Sequence, residues 1–353
     1  MMKKIILLFI FTISLFGTPS DKELRNMIGQ MVMVGFTGNS SSDEWVRQLH
    51  LDIKNGRIGG VMLLARNISS KQGLKNLTKY LNSASSKYPL FIAIDEEGGQ
   101  ISRFNKFNDF EHFPSAYKVG SELDLNSANK LYTSMATQLK NLGINMNFAP
   151  VVDLHNEISP IIGQRQRAFS KDAGEVTAYA SEFISAFDNV GVASVLKHFP
   201  GHGNASADTH KTSTIVDNFD FDEIRPYYEL IKRKKAKFIM VGHMIIPTID
   251  DVNPATLSRQ IVTNLLKDSL NYEGVVISDD MLMKALGGTL EQNAIKAVNA
   301  GVDILLVSEY FYNKTNSIKA LNDAIFNSVK SGKIEITRII DAYNRIIAQK
   351  ARF

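Results

Sequence analysis

The stretch VASVLKHFPGHG, residues 192–203, begins as a nearly continuous apolar run and ends in ionisable side chains. A strand buried on both faces of a parallel sheet has this apolar pattern. Seven other short runs, rich in apolar, β-branched or Met residues, resemble it. In chain order the eight runs are Gly29–Phe36, Ile58–Ala65, Pro89–Asp95, Ile144–Asp153, Val192–Phe199, Ala236–Met244, Gly274–Met281 and Val302–Ser308.

Stretches with helical periodicity separate most of these runs. Gly143 and Gly191 each follow a helical stretch, as C-terminal caps do, and Ser258, Thr289 and Thr337 occupy positions suited to N-caps. Eight strands alternating with helices predict an α/β fold, a single (β/α)8 TIM-type barrel. A doubly wound parallel sheet is the alternative.

The first eighteen residues have the pattern of a targeting segment. Lys3 and Lys4 precede the apolar run Ile5–Phe16, which suits the core of a signal peptide and is short for a membrane span of roughly 20 residues. We therefore expect residues 1–18 to be a signal peptide or N-terminal anchor and residues 21–353 to form the catalytic barrel. This predicts a periplasmic or otherwise exported protein rather than a cytoplasmic one, associated with a membrane only if the leader is not cleaved.

Composition excludes several classes of function. The 353 residues include no Cys, which rules out disulfides, thiolate metal sites, iron–sulfur clusters and a cysteine nucleophile. The formal net charge of +4 is small, so we expect no nucleic-acid partner.

Ionisable residues gather at the carboxyl ends of the predicted strands. In a barrel these ends form one rim, where active sites lie. An ionisable group costs several kcal/mol to bury without a partner, so its repeated occurrence at the ends of buried strands indicates a function rather than packing. The residues at these ends are Asp95, Asp153, Lys197, His198, His243 and Asp279.

Two segments offer groups for proton transfer and nucleophilic attack. In an extended loop, Asp208 and His210 project to the same side, so the carboxylate can orient the imidazole; a simple loop hydrogen bond is the alternative. Adjacent strand residues point opposite ways, so only one of Asp279 and Asp280 can face the mouth. We choose Asp279 as nucleophile and Asp280 as a structural or capping residue, although both could cap the following helix.

Other side chains are candidates for binding. Arg103 places a cation close to the acidic segment that begins at Asp95, which suits a loop that binds a ligand. The alternative is a turn that carries only a surface salt bridge. Arg167 is a bidentate donor to a ligand or an ordinary surface arginine. His243 is a pocket residue or a core histidine. His198 and His202 would share a face of a helix, but the Pro-Gly pair between them disfavours such a metal site.

Together these segments resemble glycoside hydrolase family 3, in particular its single-domain β-N-acetylglucosaminidases of the cell-wall-recycling type. The resemblance runs from about Asp21 to the C-terminus. Its motifs are Asp95–Gly99 with Arg103, Asn147–Asp153, Arg167–Phe169, Lys197–Gly203 with Asp208 and His210, and Ser278–Asp280 with Met283.

The resemblance implies a retaining β-N-acetylhexosaminidase that hydrolyses terminal non-reducing β-N-acetylglucosamine from peptidoglycan fragments through a covalent glycosyl-enzyme, without cofactor or metal. Asp279 would be the nucleophile, and His210, oriented by Asp208, the general acid/base. The substrate-binding residues would be Asp95, Arg103, Arg167, Lys197 and His198. The chain departs from the family at Thr214, where proline is expected.

Three alternatives remain at the level of sequence. A phosphorylase is possible because a histidine repels attacking phosphate less than a carboxylate would. A metal-dependent barrel hydrolase would use His198, His202, Asp208 and His210. A non-catalytic sugar-binding protein would keep Asp95, Arg103 and Lys197 but tolerate loss of the Asp279 carboxylate.

Overall fold

The computed structural model describes residues 19–85, 87–205 and 214–352. Within these ranges eight parallel strands close into a barrel. Each strand lies in one of the eight predicted runs, so the predicted TIM-type barrel is confirmed. The strands are β1 (Val32–Gly35), β2 (Gly60–Leu63), β3 (Phe91–Ile94), β4 (Met146–Asn147), β5 (Ala193–Phe199), β6 (Phe238–Val241), β7 (Val275–Asp280) and β8 (Ile304–Val307).

Strand pairing follows chain order, and β1 pairs with both β2 and β8 to close the ring. The shortest strand of the barrel is β4, with two residues. Its Asn147 side chain adds two hydrogen bonds to the backbone of Glu96: it donates to the Glu96 carbonyl at 2.8 Å and accepts from the Glu96 amide at 3.0 Å. This pair of hydrogen bonds joins the ends of β3 and β4 at the rim.

Helices surround the barrel, and their bounds agree with most of the predicted caps. Gly191 has the left-handed φ of 76° at the end of its helix, and the Thr289 hydroxyl accepts from the Gln292 amide. The Ser258 hydroxyl accepts from the Ile261 amide. The helices are α1 (Asp21–Gln30), α2 (Glu44–Lys54), α3 (Lys71–Asn82), α4 (Ala116–Glu122), α5 (Leu125–Asn141), α6 (Ala173–Val190), α7 (Arg225–Lys232), α8 (Gln260–Ser269, with π-type bonding), α9 (Leu290–Ala300), α10 (Ser317–Lys330) and α11 (Ile336–Lys350).

The predicted cap at Thr337 is wrong. Helix α11 begins at Ile336, with Glu335 in the cap position and no side-chain hydrogen bond from it. The apolar face that includes the buried Ile339 and Ile346 sets where this helix begins. Packing on the barrel therefore decides a boundary that local capping chemistry does not.

Lys350, in the last turn of α11, seals the end of the barrel opposite the active-site rim. Its ammonium donates to the Gly59 carbonyl at 2.6 Å and to Gln30 Oε1 at 2.8 Å, and it lies 4.7 Å from the centre of the Phe91 ring. Burial lowers the pKa of Lys350 to about 7. In the described part of the chain, no helix has the length and apolar character needed to cross a membrane.

We expect Lys350 to make stability depend on pH. Above about pH 7 the amine is neutral in the folded protein, while in the unfolded chain it stays charged up to about pH 10.4. The unfolded state then binds more protons, so the free energy of unfolding rises with pH across this interval, by about 5 kcal/mol in full.

Urea unfolding of wild type and Lys350→Met at pH 7 and pH 9.5 checks this expectation. The advantage of wild type over the variant should grow with pH, and Lys330→Met, at an exposed lysine that pairs with Asp21, serves as the matched control. A wild-type advantage over Lys350→Met that does not change with pH would contradict the shift.

Candidate active site

A cavity of about 280 Å³ opens among the carboxyl ends of the barrel strands. It brings together six of the predicted site residues: Asp95, Arg103, Arg167, Lys197, His198 and Asp279. Asp208 and His210 lie outside the described residues. Within the described ranges, no group of three or more His, Asp or Glu side chains is arranged to hold a metal ion.

Asp95 forms one half of an ionic network at the cavity floor. It follows β3, and its two oxygens contact Lys197 Nζ at 2.9 Å and Arg103 Nη2 at 2.6 Å. Burial alone would favour the neutral acid. The two cations outweigh it and hold the pKa of Asp95 well below its usual range.

Glu97 forms the other half. Its carboxylate receives Lys197 Nζ at 2.6 Å and a bidentate pair from Arg167 Nε and Nη2, both at 2.8 Å. Burial opposes ionisation here too, but Arg167 and Lys197 lower the pKa of Glu97. Arg167 is thus a buried structural cation as well as a cavity residue, and not a surface arginine.

Sequence reasoning included Glu97 in a motif but gave it no role. One feature of the sequence could have identified Glu97: the Glu96-Glu97 pair comes directly after a buried strand that already ends in Asp95. A further buried carboxylate at that place needs a cation as partner.

Asp153 holds the segment that follows Lys197. It is fully buried, its Oδ2 lies 2.8 Å from His198 Nδ1, and its Oδ1 accepts from the backbone amides of His198 at 3.1 Å and His202 at 2.9 Å. Burial raises the pKa of Asp153, but His198 and these hydrogen bonds bring it below its usual value. Burial, with His198 close by, lowers the pKa of His202 to about 4, so that ring is neutral at neutral pH.

Both aspartates at the end of β7 line the cavity, so the expectation that only one of them can face the mouth is wrong. The pairing of β7 with β8 shifts register between Ile277 and Asp280, which interrupts the strict alternation of side chains there. The two carboxylates nevertheless have different surroundings. Asp280 Oδ1 accepts from the amides of Leu282 at 3.1 Å and Ser308 at 2.9 Å, so this carboxylate ties β7 to the residue after β8. Asp279 Oδ1 accepts from the Asp280 amide at 2.7 Å. Burial, and to a smaller extent Asp279, raises the pKa of Asp280.

His243 lies beneath these aspartates rather than in the cavity wall. It is fully buried, with Nδ1 2.8 Å from Thr256 Oγ1 and Nε2 3.0 Å from the Asp280 carbonyl oxygen. Of the two interpretations of His243, the structure supports the core histidine.

A buried carboxyl that sequence reasoning missed explains two glycines of the 197–203 motif. Glu223 Oε2 accepts from the Leu154 amide at 3.0 Å. A Cβ at Gly201 would lie 2.4 Å from Glu223 Cβ, and one at Gly203 would lie 2.3 Å from Glu223 Oε1. The glycines therefore make room for this side chain. Burial, with Asp153 nearby, raises the pKa of Glu223 well above its usual value.

Thr214, the departure from the family pattern, is buried and begins a short strand that pairs with Met244–Ile245. It is the first described residue after the segment that contains Asp208 and His210. The residue at this position is therefore part of a regular parallel pairing.

The arrangement suits a small hydroxyl-rich ligand. Three buried or half-buried cations are held against two carboxylates, so every charged group of this network has an ionic partner and its donors and acceptors stand fixed. Asp279, at the end of β7, lines the same space. Such a site can hold hydroxyl groups by directed hydrogen bonds while one carboxylate attacks an electrophilic carbon.

The chain is similar in sequence to proteins named beta-hexosaminidase. A beta-hexosaminidase A from Pseudoalteromonas piscicida is 35% identical over 285 residues, which cover 73% of this chain but 47% of that protein. This chain thus spans about half the length of that relative.

Two solved structures share the fold. A glycoside hydrolase family 3 beta-N-acetylglucosaminidase from Paenibacillus sp. str. FPU-7 superposes with a TM-score of 0.86 at 33% identity, covering 93% of this chain and 62% of that one. A beta-N-acetylhexosaminidase from Beutenbergia cavernae DSM 12333 superposes with a TM-score of 0.84 at 28% identity, covering 93% of this chain and 98% of that one.

The model of the glycosyl hydrolase family 3 N terminal domain matches residues 23–349. The predicted family and the predicted class of enzyme, a glycosidase, are thereby confirmed. With this match spanning the whole barrel, the chain belongs to glycosyl hydrolase family 3.

Proposed function

We propose that this protein is a retaining β-N-acetylhexosaminidase that removes terminal non-reducing β-N-acetylglucosamine from peptidoglycan fragments. One observation carries the proposal: Asp279 lines a cavity of about 280 Å³ that is also lined by the Asp95–Lys197–Glu97 network. Ligand pockets typically measure roughly 300–1,000 Å³, so this one suits a single sugar ring. The names of the relatives supply the sugar class.

Asp279 is the proposed nucleophile. Its carboxylate attacks the anomeric carbon and forms a glycosyl-enzyme, which water then hydrolyses. His210, oriented by Asp208, donates a proton to the leaving oxygen in the first step and takes one from water in the second. An imidazole with an unperturbed pKa near 6.5 suits both directions close to neutral pH.

The ionic network is proposed to hold the sugar. Asp95 and the cations Arg103 and Lys197 present hydrogen-bonding groups to its hydroxyls, and His198 and Arg167 extend the same wall. Because each cation is already paired with a carboxylate, the network keeps its geometry before the sugar binds. Preorganised groups lose little freedom on binding, which favours discrimination between closely related sugars.

We further propose that the enzyme is exported and acts outside the cytoplasm, on the grounds of the N-terminal leader pattern. That segment, residues 1–18, lies outside the described residues. Fractionation of cells that express the full chain, with N-terminal sequencing of the product, tests both export and cleavage.

Release of nitrophenol from an aryl β-N-acetylglucosaminide, compared with the matching β-glucoside, tests the function directly. With chelator present throughout, we expect preferential hydrolysis of the N-acetyl sugar. Product analysis with and without inorganic phosphate separates hydrolysis from phosphorolysis, since only the latter forms a sugar phosphate. Loss of turnover on chelation would instead favour a metal-dependent hydrolase.

Asp279→Asn should lower kcat by about 10³-fold or more, because the amide cannot form the covalent intermediate. Thermal unfolding and circular dichroism should match wild type. Asp251→Asn, a change of the same charge in an exposed turn, is the control and should leave kcat unaltered. Near-normal turnover of Asp279→Asn would remove the nucleophile from the mechanism.

His210→Ala should slow substrates with poor leaving groups far more than activated aryl glycosides. Only a leaving group that needs a proton depends on the acid. The kcat/KM ratio between a nitrophenyl and an alkyl glycoside, measured for wild type and variant, checks this difference. Equal losses on both substrates would argue against the acid role.

A further inference from the structure

Arg165 differs from the other arginines and the lysine that line the cavity. Arg103, Arg167 and Lys197 each pair with Asp95 or Glu97. Arg165 lines the same cavity and is exposed at its mouth. Among the described residues it forms neither an ion pair nor a side-chain hydrogen bond.

The backbone on either side of Arg165 is firmly held. The Gln166 amide donates to the Gly163 carbonyl at 2.9 Å, and the Arg167 amide donates to the Ile162 carbonyl at 3.0 Å. The Gln166 side chain accepts from the Ser115 hydroxyl at 3.0 Å, and its carbonyl accepts from the Tyr117 amide at 3.2 Å. The loop thus presents the guanidinium from a fixed point, which reduces the ordering cost of binding a ligand there.

The size of the cavity places the rest of a substrate at this mouth. About 280 Å³ holds one sugar ring, so the group attached to the scissile oxygen, the aglycone, must lie towards the solvent side. Asp279 and Asp280 line the same cavity and would repel an anion near them. An anionic aglycone therefore needs a cation outside the floor network, and Arg165 is placed to supply it.

We propose that Arg165 binds a carboxylate on the aglycone and so determines a preference for acidic aglycones. A guanidinium matches a carboxylate through two parallel hydrogen bonds, which an ester or amide cannot reproduce. In peptidoglycan fragments the carboxylate can belong to the lactyl group of the neighbouring sugar or to a peptide attached to it. The inference rests on the proposed function, since it concerns the aglycone side of that site.

Three substrates distinguish these sources. They are the disaccharide of N-acetylglucosamine β-linked to N-acetylmuramic acid, its lactyl methyl ester, and its lactyl amide with alanine. The acid and the ester differ in charge at one position, and the amide moves the carboxylate one residue outward.

We expect wild type to prefer the acid to the ester by about three- to tenfold in kcat/KM, a range set by an exposed but charge-assisted pair. Arg165→Gln should bring this ratio near one, and Arg165→Glu should invert it. Arg165→Lys should keep part of it. Arg259→Gln, at an exposed arginine in a different cavity, is the matched control and should keep the wild-type ratio.

The preference could instead rest on the peptide carboxylate. In that case the alanyl amide, rather than the lactyl acid, should exceed the ester, and the same excess should vanish in Arg165→Gln. The proposal would be overturned if the acid-to-ester and the amide-to-ester ratios of kcat/KM were both one in wild type. A preference that Arg165→Gln retains would overturn it as well.

Measurements of binding affinity test this inference independently of the proposed function on which it rests. Calorimetry of the three compounds on Asp279→Asn and on Asp279→Asn with Arg165→Gln reports the same ratios as Kd, without turnover. A ratio that depends on Arg165 supports the inference even if no hydrolysis occurs, and absence of hydrolysis then counts against the function alone.

Discussion

The site depends on the position of one ammonium group, that of Lys197. It is 2% exposed and lies between two carboxylates, 2.9 Å from Asp95 and 2.6 Å from Glu97. An isolated ammonium at this depth would lose several kcal/mol of hydration, and so would each carboxylate. Their mutual contact, extended by Arg103 and Arg167, makes the burial of all five charges possible.

The same contact joins the ends of two barrel strands that are not neighbours. Lys197 belongs to β5, whereas its two acids follow β3, so the ion pairs cross the intervening short strand β4. Below them Asp153 receives two backbone amides and the His198 ring, fixing the turn that leads away from β5. Removing one member of such a network leaves an unpaired buried charge, which is more destabilising than the absence of the whole network.

The sequence pattern was sufficient for the architecture. Apolar runs of the length of strands alternate with helical periods, and all eight runs contain a barrel strand. It was weaker at boundaries: the cap expected at Thr337 lies inside α11, because the apolar face of that helix decides where it begins. For the site, strand ends selected Asp95, Lys197, His198 and Asp279 correctly as neighbours in space, but gave no reason to add Glu223 or Arg165.

By itself, the sequence determined the barrel, the rim on which ionisable residues meet, and the family, since these follow from periodicity and short local motifs. Tertiary structure alone decided which charges are paired. Lys197 and Asp95 are 102 residues apart, and Arg167 and Glu97 are 70 apart, so no local pattern links them. Closure and register of the barrel bring them within hydrogen-bonding distance. By the same geometry, Arg167 is paired with Glu97 at the floor, while Arg165, two residues earlier, lines the mouth and has no ionic partner among the residues that the structure describes.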